Sequence, residues 1–302
     1  MTKKAGVVGV VGLGAMGAGM AASLRRAGFE LCVFDVRSAA VAAFVRDGGR
    51  ACASAAELAR ESDVVVSVVV NAAQTEELLF GSGAVAAALK PGSVFVMCSA
   101  VDPHWSAALE ARLEAMGLHY LDAPISGGAA KAASGEMTMM TSGRPAAYAI
   151  CRPMLDAMAA RVYTLGERAG AGSKVKVINQ LLAGVHIAAA AEAMALGLRE
   201  GVDAAALYEV ITHSAGNSWM FENRMAHVLA GDYTPLSAVD IFVKDLGLVL
   251  DMARASKFPL PLSSTAHQMF MQASSAGHAK EDDSAVIKIF PGIELPPSKL
   301  RG

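Results

Sequence analysis

Three groups of residues in this chain combine types and spacings that can do chemistry. The first is Gly12, Gly14 and Gly17, within Gly12-Leu13-Gly14-Ala15-Met16-Gly17, directly after the apolar run 7–11. This G-x-G-x-x-G spacing, where a strand turns into a helix, suits a dinucleotide. One glycine makes the turn, one lets the pyrophosphate approach the backbone, and one lets helix and strand pack closely. Free N–H groups at the helix start then face the phosphates. The second is Asp35, at the end of the apolar run 31–34. It stands near the interval of about 20 residues at which an acid accepts hydrogen bonds from the adenosine ribose; the alternative is an exposed acid at a strand end. A carboxylate there repels a 2′-phosphate, so NAD is expected over NADP, a preference that Arg37 softens. The third is Lys176, with Asn179 and Gln180 three and four residues later and hence on one helical face. Oxidising a hydroxyl needs a group that takes the alcohol proton while hydride leaves. A lysine does this where its surroundings lower its pKa, and the positive end of a helix pushes that way. Otherwise a lysine at a helix start is a surface charge, as Lys174 is read to be.

Three further candidates follow from position. The small-residue string Asp122-Ala123-Pro124-Ile125-Ser126-Gly127-Gly128 follows a strand-like run. The Ser126 hydroxyl and the N–H groups around Gly127 and Gly128 can hold a substrate carboxylate, or the string is a structural turn. Asn71 and Gln74 follow the apolar run 64–70, where a parallel sheet opens its ligand crevice. They either touch nicotinamide or cap the next helix. Lys244-Asp245 either reaches the cofactor or forms an ordinary pair. The seven histidines show no metal-ligand spacing, so no metal site is expected, and His186, inside an apolar helix, reads as a core residue.

The elements that must position these groups alternate. From residue 6 to about 165, strand-like runs at 31–34, 64–70, 93–97, 119–121, 137–141 and 161–165 are separated by helical stretches. That alternation predicts an α/β doubly wound, mainly parallel sheet of the Rossmann type. The string Gly166-Glu167-Arg168-Ala169-Gly170-Ala171-Gly172 breaks the pattern. Beyond it a helix is predicted over 173–200, about 40 Å long at 1.5 Å per residue. Further helices are predicted over 204–213, 219–229, 241–256 and 261–276, an all-α domain built on one long helix. The expected division is 1–167 for NAD binding and 168–302 for the α-domain. The 302 residues, 54% hydrophobic, are enough for two cores, and a net charge of −2 gives no case for nucleic acid or an anionic membrane. The apolar run 177–198 carries Asn179, Gln180, His186 and Glu192 and reads as a buried helix rather than a span. Four scattered cysteines, Cys32, Cys52, Cys98 and Cys151, read as reduced and buried, which points to the cytoplasm.

Taken in order, the glycine string at 12–17, the segment 122–128, Gly170-Ala171-Gly172-Ser173-Lys174-Val175-Lys176-Val177-Ile178-Asn179-Gln180 and Lys244-Asp245-Leu246 resemble the β-hydroxyacid dehydrogenase family over nearly the whole chain. The resemblance implies an enzyme that oxidises a small hydroxy acid with a nicotinamide cofactor. It places Gly12 to Gly17, Ala100 and Lys244 at the cofactor, beside Asp35, Asn71 and Gln74 read there from position, with Ser126, Gly127 and Gly128 at the substrate, and Lys176, Asn179 and Gln180 at the chemistry. Asn-Gln after the lysine, where many members have two asparagines, is a feature of the sugar-acid branch. Ser99-Ala100 stands where the family commonly has Ser-Thr. Ala100 has no hydroxyl, so any contact with the nicotinamide half there is through backbone. A homo-oligomer, dimer or tetramer, is expected from the close packing that an Ala-rich helix allows.

Overall fold

The computed structural model describes residues 6–298. Its chain divides into two compact units, Met1–Lys176 and Val177–Gly302. The division falls inside a continuous helix, nine residues beyond the boundary expected from the glycine-rich string, because that string starts the helix instead of acting as a linker.

Among the described residues the first unit carries nine strands: β1 (Val8–Val11), β2 (Leu31–Phe34), β3 (Arg50–Ala51), β4 (Val64–Ser67), β5 (Val94–Met97), β6 (His119–Asp122), β7 (Ile125–Ser126), β8 (Met137–Gly143) and β9 (Ala159–Thr164). They run in the order β3-β2-β1-β4-β5-β6-β8-β7, with β9 beside β8. Pairing is parallel from β3 through β6, antiparallel at β6–β8 and β7–β8, and parallel again at β8–β9. Helices α1 (Ala15–Arg26), α2 (Ser38–Arg46), α3 (Ala55–Glu61), α4 (Ala72–Phe80), α5 (Val85–Ala88), α6 (Pro103–Glu114), α7 (Gly128–Ser134) and α8 (Pro145–Met158) connect them. Successive strand residues enter opposite cores. Val8, Val10, Val64 and Val66 meet Met20, Leu24, Phe44 and Met154 on one face. Val11, Val65, Phe95 and Met97 meet Leu58, Leu79, Leu109 and Leu113 on the other. A parallel sheet covered on both faces needs such continuous apolar strands. The strand order turns back between β1 and β4, so the carboxyl ends of β1, β2 and β4 form the rim where such sheets take ligands.

Close contacts set the rim helices. A Cβ on Gly19 of α1 would stand 2.7 Å from the Ala133 nitrogen, and the Ser23 hydroxyl donates to the Ala132 carbonyl at 2.9 Å. The helix after the glycine string therefore packs directly on the helix that starts at Gly128.

The second unit holds most of α9 (Ala171–Arg199) with α10 (Ala204–Thr212), α11 (Trp219–Ala230), α12 (Val239–Ser256) and α13 (Pro261–Ala273), then a π turn and a 3₁₀ segment, Asp283–Ile289. Ile187, Met194, Met225, Phe242, Leu246, Phe270 and Val286 form its core. The long helix is apolar and long enough to cross a membrane by length and composition. Here only part of it is buried: Ala183, Ile187, Ala191 and Met194 face the core, while Ile178, Leu182 and Leu196 are exposed. His186 is exposed too, which corrects its reading as a core residue. Its helix has buried residues on one face only, and it lies on the other.

Candidate active site

The glycine string forms the strand-to-helix turn its spacing predicts. Gly12 has φ +94°, and a Cβ there would meet the Val68 carbonyl oxygen at 2.6 Å. A Cβ on Gly17 would stand 1.8 Å from the Gly12 oxygen, so that glycine sets how closely α1 sits on β1. Gly14 differs: a Cβ there meets nothing within 4 Å. It is the N-cap of α1, no side chain caps that end, and the first turn has no acid. The first N–H groups of a helix lack intrahelical acceptors, and they carry the positive end of its dipole. Open space over an uncapped helix start suits a dinucleotide pyrophosphate, so the residues present fit NAD. Leu13, Ala15 and Met16 supply backbone to the same turn.

Asp35 stands at the rim beyond β2, with a side chain only 6% exposed. Its Oδ2 accepts the Leu13 N–H at 2.6 Å, and Oδ1 accepts the Arg37 backbone N–H at 2.8 Å. Burial by itself would raise its pKa; the Arg37 side chain, the Arg37 N–H and the Leu13 N–H outweigh that and hold the carboxyl below the usual range. The acid expected to read the ribose is thus joined directly to the glycine string.

Beyond β4, Asn71 is the N-cap of α4. Its Oδ1 accepts the Gln74 N–H at 2.9 Å, and Gln74 Oε1 accepts the Val70 N–H at 2.9 Å. Of the two roles open in the sequence, capping is the one these oxygens perform. After β5, the Ser99 hydroxyl donates to the Val69 carbonyl at 2.7 Å, which ties the segment holding Ala100 to the end of the β4 loop.

Ser126 ends β7, paired with Thr138 of β8. Gly127 and Gly128 follow at φ +135° and +79° and begin α7, whose start no side chain caps. A Cβ on Gly128 would meet nothing within 4 Å. The loop therefore presents backbone to open space.

The start of α9 is held by two buried carboxylates. Glu110 of α6, 1% exposed, accepts the Ala169 N–H at 3.2 Å and pairs with Arg168 at 2.7 Å; burial pushes its pKa up. Asp122, fully buried at the end of β6, accepts the N–H groups of Gly170 and Ser173, both at 2.9 Å, and the Ser173 hydroxyl at 2.7 Å. Burial raises its pKa also, with the hydrogen bonds from Ser173, Gly170 and Ser142 opposing. Lys176 lies three residues beyond Ser173 and is half-buried. The sequence marks Asp122 only as the first residue of a loop; an acid at the end of an apolar strand was the available signal.

In the second unit, Gln180 is 8% exposed and donates from Nε2 to Asp245 Oδ2 at 2.6 Å, while Asn179 donates to Gln180 Oε1 at 3.0 Å. Lys244 pairs with Asp245 Oδ1 at 2.7 Å. Asp245 thus joins two residues that the sequence singled out separately. Among the described residues, Cys32, Cys52 and Glu61 bring potential metal-ligating atoms within 4.8 Å of one another, a grouping that spacing along the chain does not reveal. Burial pushes the Cys52 thiol up to about 12, and Arg50 already pairs with Glu61.

Comparison with known proteins supplies what geometry does not. Residues 7–166 match the family pattern of the NAD binding domain of 6-phosphogluconate dehydrogenase. Residues 170–290 match that described as NAD-binding of NADP-dependent 3-hydroxyisobutyrate dehydrogenase. The chain is 67% identical to L-threonate dehydrogenase of Cupriavidus necator over 96% of this chain and 97% of that protein. It is 54% identical to L-threonate dehydrogenase of Escherichia coli K12 over 97% of each. Its structure matches a crystal structure of a 3-hydroxyisobutyrate dehydrogenase from Salmonella typhimurium with TM-score 0.91 and 56% identity, covering 94% of this chain and 99% of that one.

Proposed function

Since the chain belongs to the β-hydroxyacid dehydrogenase family and is an NAD-dependent hydroxyacid dehydrogenase, we propose that it oxidises the 2-hydroxyl of L-threonate to 2-dehydro-L-erythronate, with Lys176 as general acid/base. The observation that carries the substrate is the 67% identity with an L-threonate dehydrogenase along almost the full length of both chains. In this reading the NAD-binding role belongs to 1–167 and the α-domain to 168–302, while the two compact units part nine residues further on, inside α9.

In this reading the turn at Gly12 to Gly17 receives the pyrophosphate, and Asp35 accepts hydrogen bonds from the adenosine ribose. Asn71, Gln74, Ala100 and Lys244 take the nicotinamide half, with Ala100 acting through its backbone. Nicotinamide, when bound, supplies the hydride acceptor. Ser126, Gly127 and Gly128 hold the substrate carboxylate through a hydroxyl and N–H groups, and so fix which carbon is presented. Lys176, as the neutral amine, takes the proton from the 2-hydroxyl and returns it in the reverse direction. Asn179 and Gln180 orient substrate and lysine, and the buried Gln180–Asp245 hydrogen bond supports this by fixing one amide. The exposed Ile178, Leu182 and Leu196 of α9 support a homo-oligomer, dimer or tetramer, formed through that helix. Four free, buried cysteines support a reducing, cytoplasmic setting.

The test is a panel of L-threonate, D-glycerate and 3-hydroxyisobutyrate, with tartronate and succinic semialdehydes in the reverse direction, run with NAD(H) and NADP(H). L-Threonate with NAD is expected to give the highest kcat/KM. A preference for either semialdehyde or for 3-hydroxyisobutyrate would replace the substrate assignment. Lys176→Ala is expected to keep NADH binding and lose turnover by about 100-fold or more; turnover within a few-fold of the parent would remove the lysine from its role.

A further inference from the structure

We propose that Asp122 is a positioning residue, which fixes Lys176 against the Ser126–Gly128 loop by gathering the donors at the start of α9. The inference rests on the assignment of Lys176 above, and it concerns a residue that never touches the substrate.

The geometry is that of a clamp. Four donors converge on one fully buried carboxylate: the N–H groups of Gly170 and Ser173 and the Ser142 hydroxyl on Oδ2, and the Ser173 hydroxyl on Oδ1, at 2.7 to 3.0 Å. Ser142 in turn accepts the Gly172 N–H at 2.9 Å. The three backbone donors come from residues 170, 172 and 173, which span most of a helical turn, so both the height and the rotation of the helix are set. A Cβ on Gly172 would stand 2.3 Å from the Met140 carbonyl oxygen and one on Gly170 2.8 Å from the Pro103 oxygen. The approach is therefore too close for any side chain at either position. Ser142 and Asp122 are also direct partners across β6 and β8, so the clamp is anchored in the sheet.

Two consequences follow. Lys176 lies three residues beyond Ser173, about 4.5 Å along the axis, and a rigid helix transmits a shift of its first turn to that position undiminished. In the other direction, Asp122 leads within four residues to Ser126, itself paired to β8. One side chain thus ties the segment holding the proton-transfer amine to the segment holding the carboxylate loop. A helix start needs only a serine or asparagine to satisfy its donors. Burying a charge there is costly unless it is fully hydrogen-bonded, and the arrangement meets that condition while gaining rigidity.

The experiment is a kinetic cycle with Asp122→Asn and Lys176→Ala, measured alongside NADH binding by fluorescence. Asp122→Asn is expected to lower kcat by about 10- to 100-fold, the penalty of a misplacement near 1 Å, while the NADH Kd stays within twofold. In the Lys176→Ala background, with turnover restored by an added primary amine such as ethylamine, Asp122→Asn is expected to change the rate less than threefold, because a free amine positions itself. A merely structural role would lower both backgrounds alike, and that result overturns the proposal, as does an unchanged kcat in Asp122→Asn alone. If Lys176→Ala keeps full turnover, the lysine assignment is what has failed. Should Asp122→Asn not fold, the Ser142→Ala/Ser173→Ala pair takes its place in both backgrounds, with the same two outcomes.

Discussion

Arg37 lays its guanidinium across both oxygens of Asp35, with Nε 3.1 Å from Oδ1 and Nη2 3.2 Å from Oδ2. Together with the N–H groups of Leu13 and Arg37 itself, this gives each carboxylate oxygen two donors. A ribose diol must therefore displace the arginine, whose side chain is 60% exposed and free to swing outward. An arginine released in this way is also placed to meet a 2′-phosphate, so the pair sets the balance between NAD and NADP. Arg37→Ala is expected to reduce kcat/KM for NADP by about 10- to 100-fold, the worth of one charge-assisted contact, and to leave that for NAD unchanged or raised. Steady-state comparison of the two cofactors checks this; an equal loss with both would show that Arg37 only braces the loop.

The three glycines of the turn make different demands, and alanine separates them. At Gly17 the added Cβ meets the Gly12 oxygen, so Gly17→Ala is expected to lower Tm and cofactor binding together. At Gly14 the Cβ enters open space and the backbone, at φ −68°, accepts alanine. Gly14→Ala is expected to fold, at a cost of about 1 kcal/mol or less for a poorer N-cap, and to weaken NADH binding by tenfold or more. Titration with NADH and a thermal melt of the same sample decide it, and unchanged affinity would move the pyrophosphate elsewhere.

Asn71→Ala tests whether that amide serves the fold or the cofactor. As the cap of α4 it should lose about 1 kcal/mol of stability, and as a neighbour of nicotinamide it should also show a severalfold higher KM for NAD; Asn71→Asp should restore the stability but not the KM. A KM within twofold of the parent would leave Asn71 with the capping role alone.

A buried pair in the second unit gives a pH dependence with a definite sign. Arg224 of α11 pairs with Asp283, and both are buried. Burial pushes the Asp283 carboxyl up to about 6, with Arg224 opposing, against about 3.9 in an unfolded chain. Between those values the folded state binds more protons, so this group's contribution to stability falls as pH rises from about 4 to about 6 and is level above. Arg224→Met removes the partner and raises Asp283 further. Its deficit is expected to be about 3–5 kcal/mol at pH 8, as for other broken buried pairs, and distinctly smaller at pH 5, where the acid is protonated in both proteins. Urea unfolding at the two pH values measures it, and a larger deficit at pH 5 would contradict the assignment.

Long and periodic elements were legible in the chain, and short ones were not. The run 31–34 is β2 to the residue, and the long helix begins two residues before its expected start and ends one before its expected end. β3 and β7 have two residues each, too few for any period to show. The apolar run 64–70 stops being a strand at Ser67, because the chain at Val68 closes against Gly12 and Gly17. Asp102-Pro103 and Arg144-Pro145 are where α6 and α8 begin, each with its proline in the first helical turn.

What the sequence alone determined is the set of local identities: glycines where a backbone must be bare, an acid at the end of β2, a lysine near a helix start, and apolar runs long enough to fix two kinds of architecture. These follow from rules that act over a few residues. Only the tertiary structure decided how distant residues satisfy one another, and in each case the reason is burial. Asp122 can hold Gly170 and Ser173 because β6 and β8 bring residues 122 and 142 side by side beneath the helix start. Gln180 meets Asp245, 65 residues away, because α9 and α12 share one core. A polar atom removed from water must find its partner inside the fold, and no spacing along the chain records which partner that will be.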